Sequence, residues 1–75
     1  MQRYFFDFVG SARREYDYTG DLLPSAEKAL RHAELLALDE SSRGEHIGWS
    51  VSVFDARGTM YFSVPVTVVP ELVAA

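Results

Sequence analysis

The sequence predicts an α+β domain in which two β-hairpins flank one helix, in the order ββαββ. Three observations support this fold class. Short segments rich in aromatic and β-branched residues lie toward both ends, a long segment between them has helical periodicity, and turn-forming residues separate them. A chain of 75 residues suffices for one domain. We therefore expect residues 1–75 to form a single domain with an ordered core over about 2–66 and an apolar tail over 67–75.

The N-terminal segment predicts the first hairpin. In residues 3–9 the side chains alternate, which places Tyr4, Phe6 and Phe8 together on one face, and that face is expected to be buried. Residues 13–18 form a shorter and more charged second strand. Because charge discourages pairing with foreign strands, this strand suits an edge of the sheet.

Residues 26–42 predict the helix. Alanine and leucine recur there at three- and four-residue spacing, and Glu40 is the polar last position of that stripe. Ser25 is expected to cap the first turn, since its hydroxyl can accept a hydrogen bond from a free backbone amide. Gly44 is expected to end the helix, because glycine adopts the left-handed conformation at little cost.

The second hairpin has the clearest pattern. Residues 49–54 and 59–64 read as strands, and a four-residue loop over 55–58 would place Val53 beside Met60. This register makes one face almost wholly apolar, whereas a three-residue loop mixes core and surface residues on each face.

The four predicted strands, numbered along the chain, are expected in the order 2-1-3-4 in one antiparallel sheet with the helix packed on one face. The helix returns the chain, so the third strand can lie antiparallel beside the first. The predicted core consists of Tyr4, Phe6, Phe8, Leu30, Ala33, Leu36, Ala37, Trp49, Val51, Val53, Met60, Phe62 and Val64.

Composition narrows the classes of function. The net charge of −4 disfavours nucleic acid binding, which usually depends on a basic surface. The longest apolar stretches are shorter than a membrane span requires, and Asp7 interrupts any apolar run of a signal peptide, so we expect no membrane association. There are no cysteines, which excludes disulfides and thiolate metal sites and fits a cytoplasmic location.

Several short motifs together resemble one known family. They are Arg3-Tyr-Phe-Phe-Asp7, Gly20-Asp21-x-Leu23, the alanine-rich helix, and Trp49-x-Val-x-Val-x-Asp55-x-x-Gly58 followed by Ser63-Val-Pro65. The chain resembles short uncharacterised bacterial proteins common in rhizobia and related alphaproteobacteria, a domain of unknown function, over roughly residues 2–66. It departs from them in having Gln2, where proline is frequent, and in the apolar tail after Pro65. The resemblance implies a hairpin–helix–hairpin domain and carries no assigned activity or site residues.

Residues with catalytic potential have simpler structural explanations. Both histidines, His32 and His46, are expected to be exposed to solvent, and Asp39 and Glu40 to be solvated at the helix end. Glu45 and His46 could meet Asp55 in space, although no pattern requires it. The serines read as a cap, as helix-end residues or as outward strand residues, without a predicted base beside them. We therefore expect no enzymatic activity, no cofactor and no metal.

Three aromatic side chains are expected on the face of the sheet opposite the helix, namely Phe5, Phe54 and Tyr61. Aromatic residues are enriched in the centres of protein interfaces. We therefore predict a small interaction module that forms a homodimer or binds another protein through these residues. The apolar tail over 66–73 could instead cover them, within one chain or between two. The alternative function is binding of a small ligand or of single-stranded nucleic acid on the same face, although acidic neighbours disfavour nucleic acid.

Overall fold

The computed structural model describes residues 1–68, in which one helix and five strands form. In chain order the elements are β1 (Gln2–Val9), β2 (Arg14–Glu15), β3 (Asp21–Leu23), α1 (Ala26–Ser42), β4 (Ser50–Asp55) and β5 (Met60–Pro65). All strand pairs are antiparallel, and α1 packs against the sheet. The predicted α+β class and the ββαββ order are confirmed, with β3 as an additional strand.

The strands lie in the order β2-β1-β4-β5, and β3 also pairs with β1. This confirms the predicted order. β2 pairs with the C-terminal end of β1 and β3 with its N-terminal end, while β4 pairs along the other edge of β1. The prediction placed one strand over 13–18 at this edge of β1. The structure has two short strands there, β2 and β3.

Asp17 is the reason for the interruption between β2 and β3. Its Oδ2 accepts a hydrogen bond from the backbone amide of Phe6 at 3.1 Å, so a carboxylate takes the place of a strand carbonyl. Its Oδ1 accepts from the amides of Thr19 at 3.2 Å and Gly20 at 3.0 Å, which turns the chain into β3. Gly20 has a φ of 68°, and a Cβ there would lie 2.7 Å from the carbonyl oxygen of Tyr4. Only glycine therefore fits this turn without strain.

The helix has the predicted bounds and caps. The Ser25 hydroxyl accepts from the amide of Lys28 at 3.2 Å. At the other end Gly44 has a φ of 69° and its amide donates to Ser41 at 3.0 Å, while the amide of Glu45 donates to the carbonyl of Glu40 at 2.8 Å. These paired bonds satisfy carbonyl groups that the last turn would otherwise leave open.

The predicted register of the second hairpin is wrong by two residues. Val53 pairs with Phe62 rather than with Met60, and Met60 pairs with Phe54. Tyr61 is the extra residue of a β-bulge and has no partner on β4. The prediction assumed a regular ladder, in which every residue has a partner. Next to the loop, the pairing of Phe54 with Met60 is the one that a three-residue loop produces. Beyond the bulge, Val53 and Val51 again pair with the apolar residues Phe62 and Val64.

The core lies between α1 and the sheet. Its buried hydrophobic side chains are Tyr4, Phe6, Ala29, Ala33, Ala37, Val51, Val53 and Val66. Those partly buried against them are Phe8, Leu23, Ala26, Leu36, Phe62 and Val64.

Three members of the predicted core are corrected. Met60 is 55% exposed because the bulge pairs it with Phe54 on the face away from α1. Leu30 and Trp49 are only half-buried and lie outside the cluster. Val66, the first residue of the apolar tail over 66–73 considered as a cover for the outward rings, is buried in the core. Its amide donates to the carbonyl of Trp49 at 2.9 Å. The remainder of the predicted tail, from residue 69 onward, lies outside the described residues.

Candidate interaction surface

Three hydrophobic side chains form a row across the face of the sheet opposite α1, which we call the outer face. Phe5 on β1 is the Cα partner of Phe54 on β4, and Phe54 is the partner of Met60 on β5. Directly paired residues point to the same side of a sheet. Phe5, Phe54 and Met60 therefore form one continuous row over three strands, the outer row.

Tyr61 does not join this row. Its ring makes an edge-on contact with the buried ring of Tyr4, with centroids 5.7 Å apart, and its hydroxyl donates to Asp55 at 3.4 Å. Of the three predicted aromatic residues, the structure brings Phe5 and Phe54 together and places Tyr61 elsewhere. Met60 takes the place predicted for Tyr61 in the row because of the bulge in β5. The alternation of the sequence gives no sign of this bulge.

Arg14 lies over the outer row. Its guanidinium carbon is 5.0 Å from the centroid of the Phe54 ring and 4.8 Å from that of Tyr16. Its Nη2 and Nε donate to the Asp7 carboxylate at 2.8 and 3.2 Å. The flat guanidinium suits contact with aromatic faces while it donates two parallel hydrogen bonds. Arg14 is thus held in one position above the row.

Asp7 anchors the segment that follows β2. It is only 4% exposed although it lies on the outer face, and its second oxygen accepts from the amide of Asp17 at 2.9 Å. Burial raises the pKa of Asp17, but hydrogen bonds from Gly20, Phe6 and Thr19 lower that pKa by more, so Asp17 stays ionised. Two carboxylates therefore fix the segment at the edge of the outer face.

An open groove of about 480 Å³ lies between the outer row and this segment. Tyr16 and Tyr18 stand at its border and are 56% and 85% exposed. Asp55 lines the groove as well, and hydrogen bonds from the amides of Thr59 and Arg57 hold its pKa below the ordinary value. The groove combines aromatic surface with one cation and several carboxylates.

A second group of contacts, the His46 cluster of Glu15, Glu40, Arg43 and His46, lies on the opposite side of the sheet. The Nδ1 atom of His46 is 2.5 Å from Glu40 Oε1, and its Nε2 atom is 3.1 Å from Glu15 Oε1. Arg43 pairs with the other oxygen of Glu40. Burial lowers the pKa of His46, but the hydrogen bonds and charges of Glu40 and Glu15 raise it to above the ordinary value.

These contacts correct the expectation of exposed histidines and of a solvated Glu40. Glu40 is 7% exposed, and the side chain of His46 is 18% exposed. His32 is also half-buried, 3.2 Å from the Asp21 carboxylate, with its ring edge-on to Phe6. The position of Glu40 on the apolar stripe of the helix was the one available signal for its burial.

The open question of whether Glu45 and His46 meet Asp55 is answered by the sheet register. His46 stacks on Phe8 near the end of β1, whereas Asp55 pairs with Tyr4 near its beginning. The two groups therefore lie toward opposite ends of the sheet.

Three groups with atoms that can bind a cation lie close together, namely Glu40, Glu45 and His46. Each offers an atom within 4.8 Å of the others. A metal ion needs a free lone pair on an imidazole nitrogen, but both nitrogens of His46 already lie within hydrogen-bond distance of carboxylate oxygens. The hydrogen bonds account for the cluster, and we assign no metal to it.

A protein family model described as Domain of unknown function (DUF6894) matches residues 3–67. The chain belongs to this family. The predicted membership of a domain-of-unknown-function family is confirmed, while the bacterial group and the Arg3–Asp7 motif stay predictions. Comparisons with curated proteins and with solved structures found no match.

The polar side chains of this DUF6894 domain are engaged in contacts within the described part of the chain. In residues 1–68 both histidines lie beside carboxylates, and the serines with hydrogen-bonded side chains contact backbone groups. No helix in this part of the chain combines the length and the apolar character needed to cross a membrane. The outer face and the His46 cluster are the two features with functional potential.

Proposed function

We propose that this DUF6894 domain is a non-catalytic protein-interaction module that forms a homodimer through its outer face. The observation that carries the proposal is the outer row of Phe5, Phe54 and Met60 with Arg14 positioned above it. Aromatic residues, methionine and arginine are the types enriched at the centres of protein interfaces. Met60 is 55% exposed, and Phe5 and Phe54 are partly exposed, so the row presents apolar surface that continues across three strands.

The charges of the outer face favour a second copy of the same chain as the partner. In a two-fold dimer the same surface is used on both sides, so it must complement itself. The groove carries the Arg14 cation, whose side chain is 37% exposed, together with the Asp17 carboxylate at its border. A two-fold arrangement can therefore set the cation of one copy against the acidic border of the other.

The modest core gives a physical reason for association. Three of the eight buried hydrophobic residues are alanines and three are valines, so the core holds little apolar area. Small domains with limited cores often gain stability from a partner subunit. A dimer of ordinary size buries about 800 Å² on each subunit, about a sixth of the 5081 Å² surface of this chain.

Charge disfavours nucleic acid, the alternative occupant of the outer face. The chain has a net charge of −4, and the Arg14 guanidinium is already paired with Asp7. The other charged groups of the groove are carboxylates, which repel phosphate. The cytoplasmic location remains part of the proposal, supported by the lack of cysteine.

Sedimentation velocity over a range from micromolar to millimolar chain concentration tests the proposal. We expect a shift from monomer to dimer that Met60→Ser weakens, because Met60 is exposed and contributes to the outer row. The matched control is Leu38→Ser, which removes a side chain of similar exposure, 57%, from α1.

A chain that stays monomeric at the highest concentration contradicts the proposal, and so does equal weakening by both variants. A labelled single-stranded oligonucleotide is included at low salt. Binding that Met60→Ser abolishes would assign the outer face to nucleic acid instead.

A further inference from the structure

The ring of His46 is placed where only its doubly protonated form satisfies its surroundings. Both ring nitrogens face carboxylate oxygens, those of Glu40 and Glu15. A neutral imidazole has one N–H donor and one lone pair, so one nitrogen would then present its lone pair to a carboxylate. The imidazolium ion donates to both oxygens and is therefore the form that fits.

Aromatic contacts hold the ring in this position. It stacks on Phe8 at a centroid distance of 4.7 Å and an interplanar angle of 16°, and it meets the ring of Trp49 edge-on at 4.7 Å. His46 also has a φ of 52°, and within residues 1–68 no other non-glycine residue has a positive φ. Such a conformation persists when the surroundings determine it, and here the two rings and two carboxylates do so.

The charges around His46 make one of its two links weaker than the other. The elements that face it contribute Glu40 and Arg43 from the end of α1, Glu45 from the loop, Glu15 from β2, and the uncharged Phe8 and Trp49. When the imidazolium loses one proton, the remaining N–H stays directed at Glu40, because that carboxylate is buried and costs more to leave without a donor. Glu15, whose side chain is 51% exposed, loses its cation and can turn to water. Deprotonation therefore breaks the link to β2 first.

β2 connects this link to the outer face. The strand has only two residues, and their side chains point to opposite sides of the sheet. Glu15 reaches His46, while Arg14 reaches Asp7 and the Phe54 ring. Glu15, which contacts His46, and Arg14, the cation of the outer face, are therefore neighbours in the chain.

We propose that His46 is a proton-dependent clamp that fixes β2 through Glu15, and thereby sets the position of Arg14 on the outer face. The clamp is closed when His46 carries both protons and open when it has lost one. Opening of the clamp would weaken dimer formation several-fold, and only this consequence rests on the proposed function.

Proton NMR titration of the dilute, monomeric chain tests the clamp. We expect the His46 ring signals to titrate with a midpoint above the ordinary value of 6.5, and the Arg14 Nε and Phe54 ring signals to shift with the same midpoint. In Glu15→Gln the His46 midpoint should fall and the coupled shift of Arg14 should disappear. Glu34→Gln is the control, since it removes an exposed carboxylate of α1 away from the cluster and should change neither.

A His46 midpoint at or below 6.5 overturns the clamp, and so do Arg14 and Phe54 signals that do not follow it. These outcomes leave the dimer proposal standing, because they are measured on the monomer. Conversely, a chain that never dimerises but shows the coupled titration removes the proposed function and retains the clamp.

Discussion

Replacing Asp17 with alanine should destabilise the domain more than the same replacement of any other carboxylate residue on the surface. The carboxylate accepts hydrogen bonds from the amides of Phe6, Thr19 and Gly20 at 3.0–3.2 Å, and from the Thr19 hydroxyl at 3.3 Å. It also joins β2 to β3 along the edge of β1. Its loss therefore removes a connection within the sheet as well as a turn.

The magnitude follows from these contacts. The hydrogen bonds of the exposed turn contribute about 0.5 kcal/mol each, at the low end of the usual range. The amide of Phe6 belongs to a residue that is 6% exposed, and leaving such a donor without a partner costs about 1–3 kcal/mol. The expected loss in the free energy of unfolding is therefore about 2.5–4.5 kcal/mol. A chain of 75 residues is stabilised by about 4–11 kcal/mol in total, so the effect should be a large share.

Urea denaturation followed by circular dichroism measures the difference. Asp39→Ala is the matched control, because Asp39 has only an exposed ion pair with Arg43 at 3.3 Å, and such pairs contribute less than about 1 kcal/mol. Equal losses in the two variants would refute the structural role of Asp17.

Acid provides a second test of the same carboxylate. The pKa of Asp17 is lowered in the folded chain, so its contribution is present above its ordinary value of 3.8 and is lost as pH falls through the lower, folded value. The difference between the wild type and Asp17→Ala should shrink on acidification over that window. A difference that persists at lower pH would show that the charge of Asp17 is not what stabilises the edge.

Two further predictions concern single positions. Gly20→Ala should cost clearly more than Gly44→Ala in thermal unfolding: both glycines have positive φ, for which an L-residue pays roughly 1–2 kcal/mol, but only at Gly20 would the new Cβ meet a backbone oxygen. Similar changes in Tm would show that the edge relaxes around it. Because the pKa of His46 is raised on folding, the stabilisation by its imidazolium should be complete below 6.5 and decline as pH rises through the folded pKa. His46→Gln should lack this dependence in urea titrations at several pH values, and an unchanged pH profile would contradict the stabilising role.

Local sequence patterns determined the regular elements of this domain. The helix from Ala26 to Ser42, its cap at Ser25 and its end at Gly44 were all predictable, because capping and helical periodicity act between residues a few positions apart. The same holds for the alternation that buries Tyr4 and Phe6. Short-range rules also sufficed for the strand order, since hairpins and a single helix leave few arrangements.

Tertiary structure alone decided the features on which function depends. The Asp17 carboxylate in the edge of β1 and the contact of His46 with Glu15 across 31 positions join segments that are separated in the chain. The bulge that exchanges Tyr61 for Met60 changes the register within one hairpin. These contacts are favourable because they pair backbone and side-chain donors and acceptors that the packed sheet would otherwise leave without partners. No local pattern records that information, because it exists only after the strands have assembled.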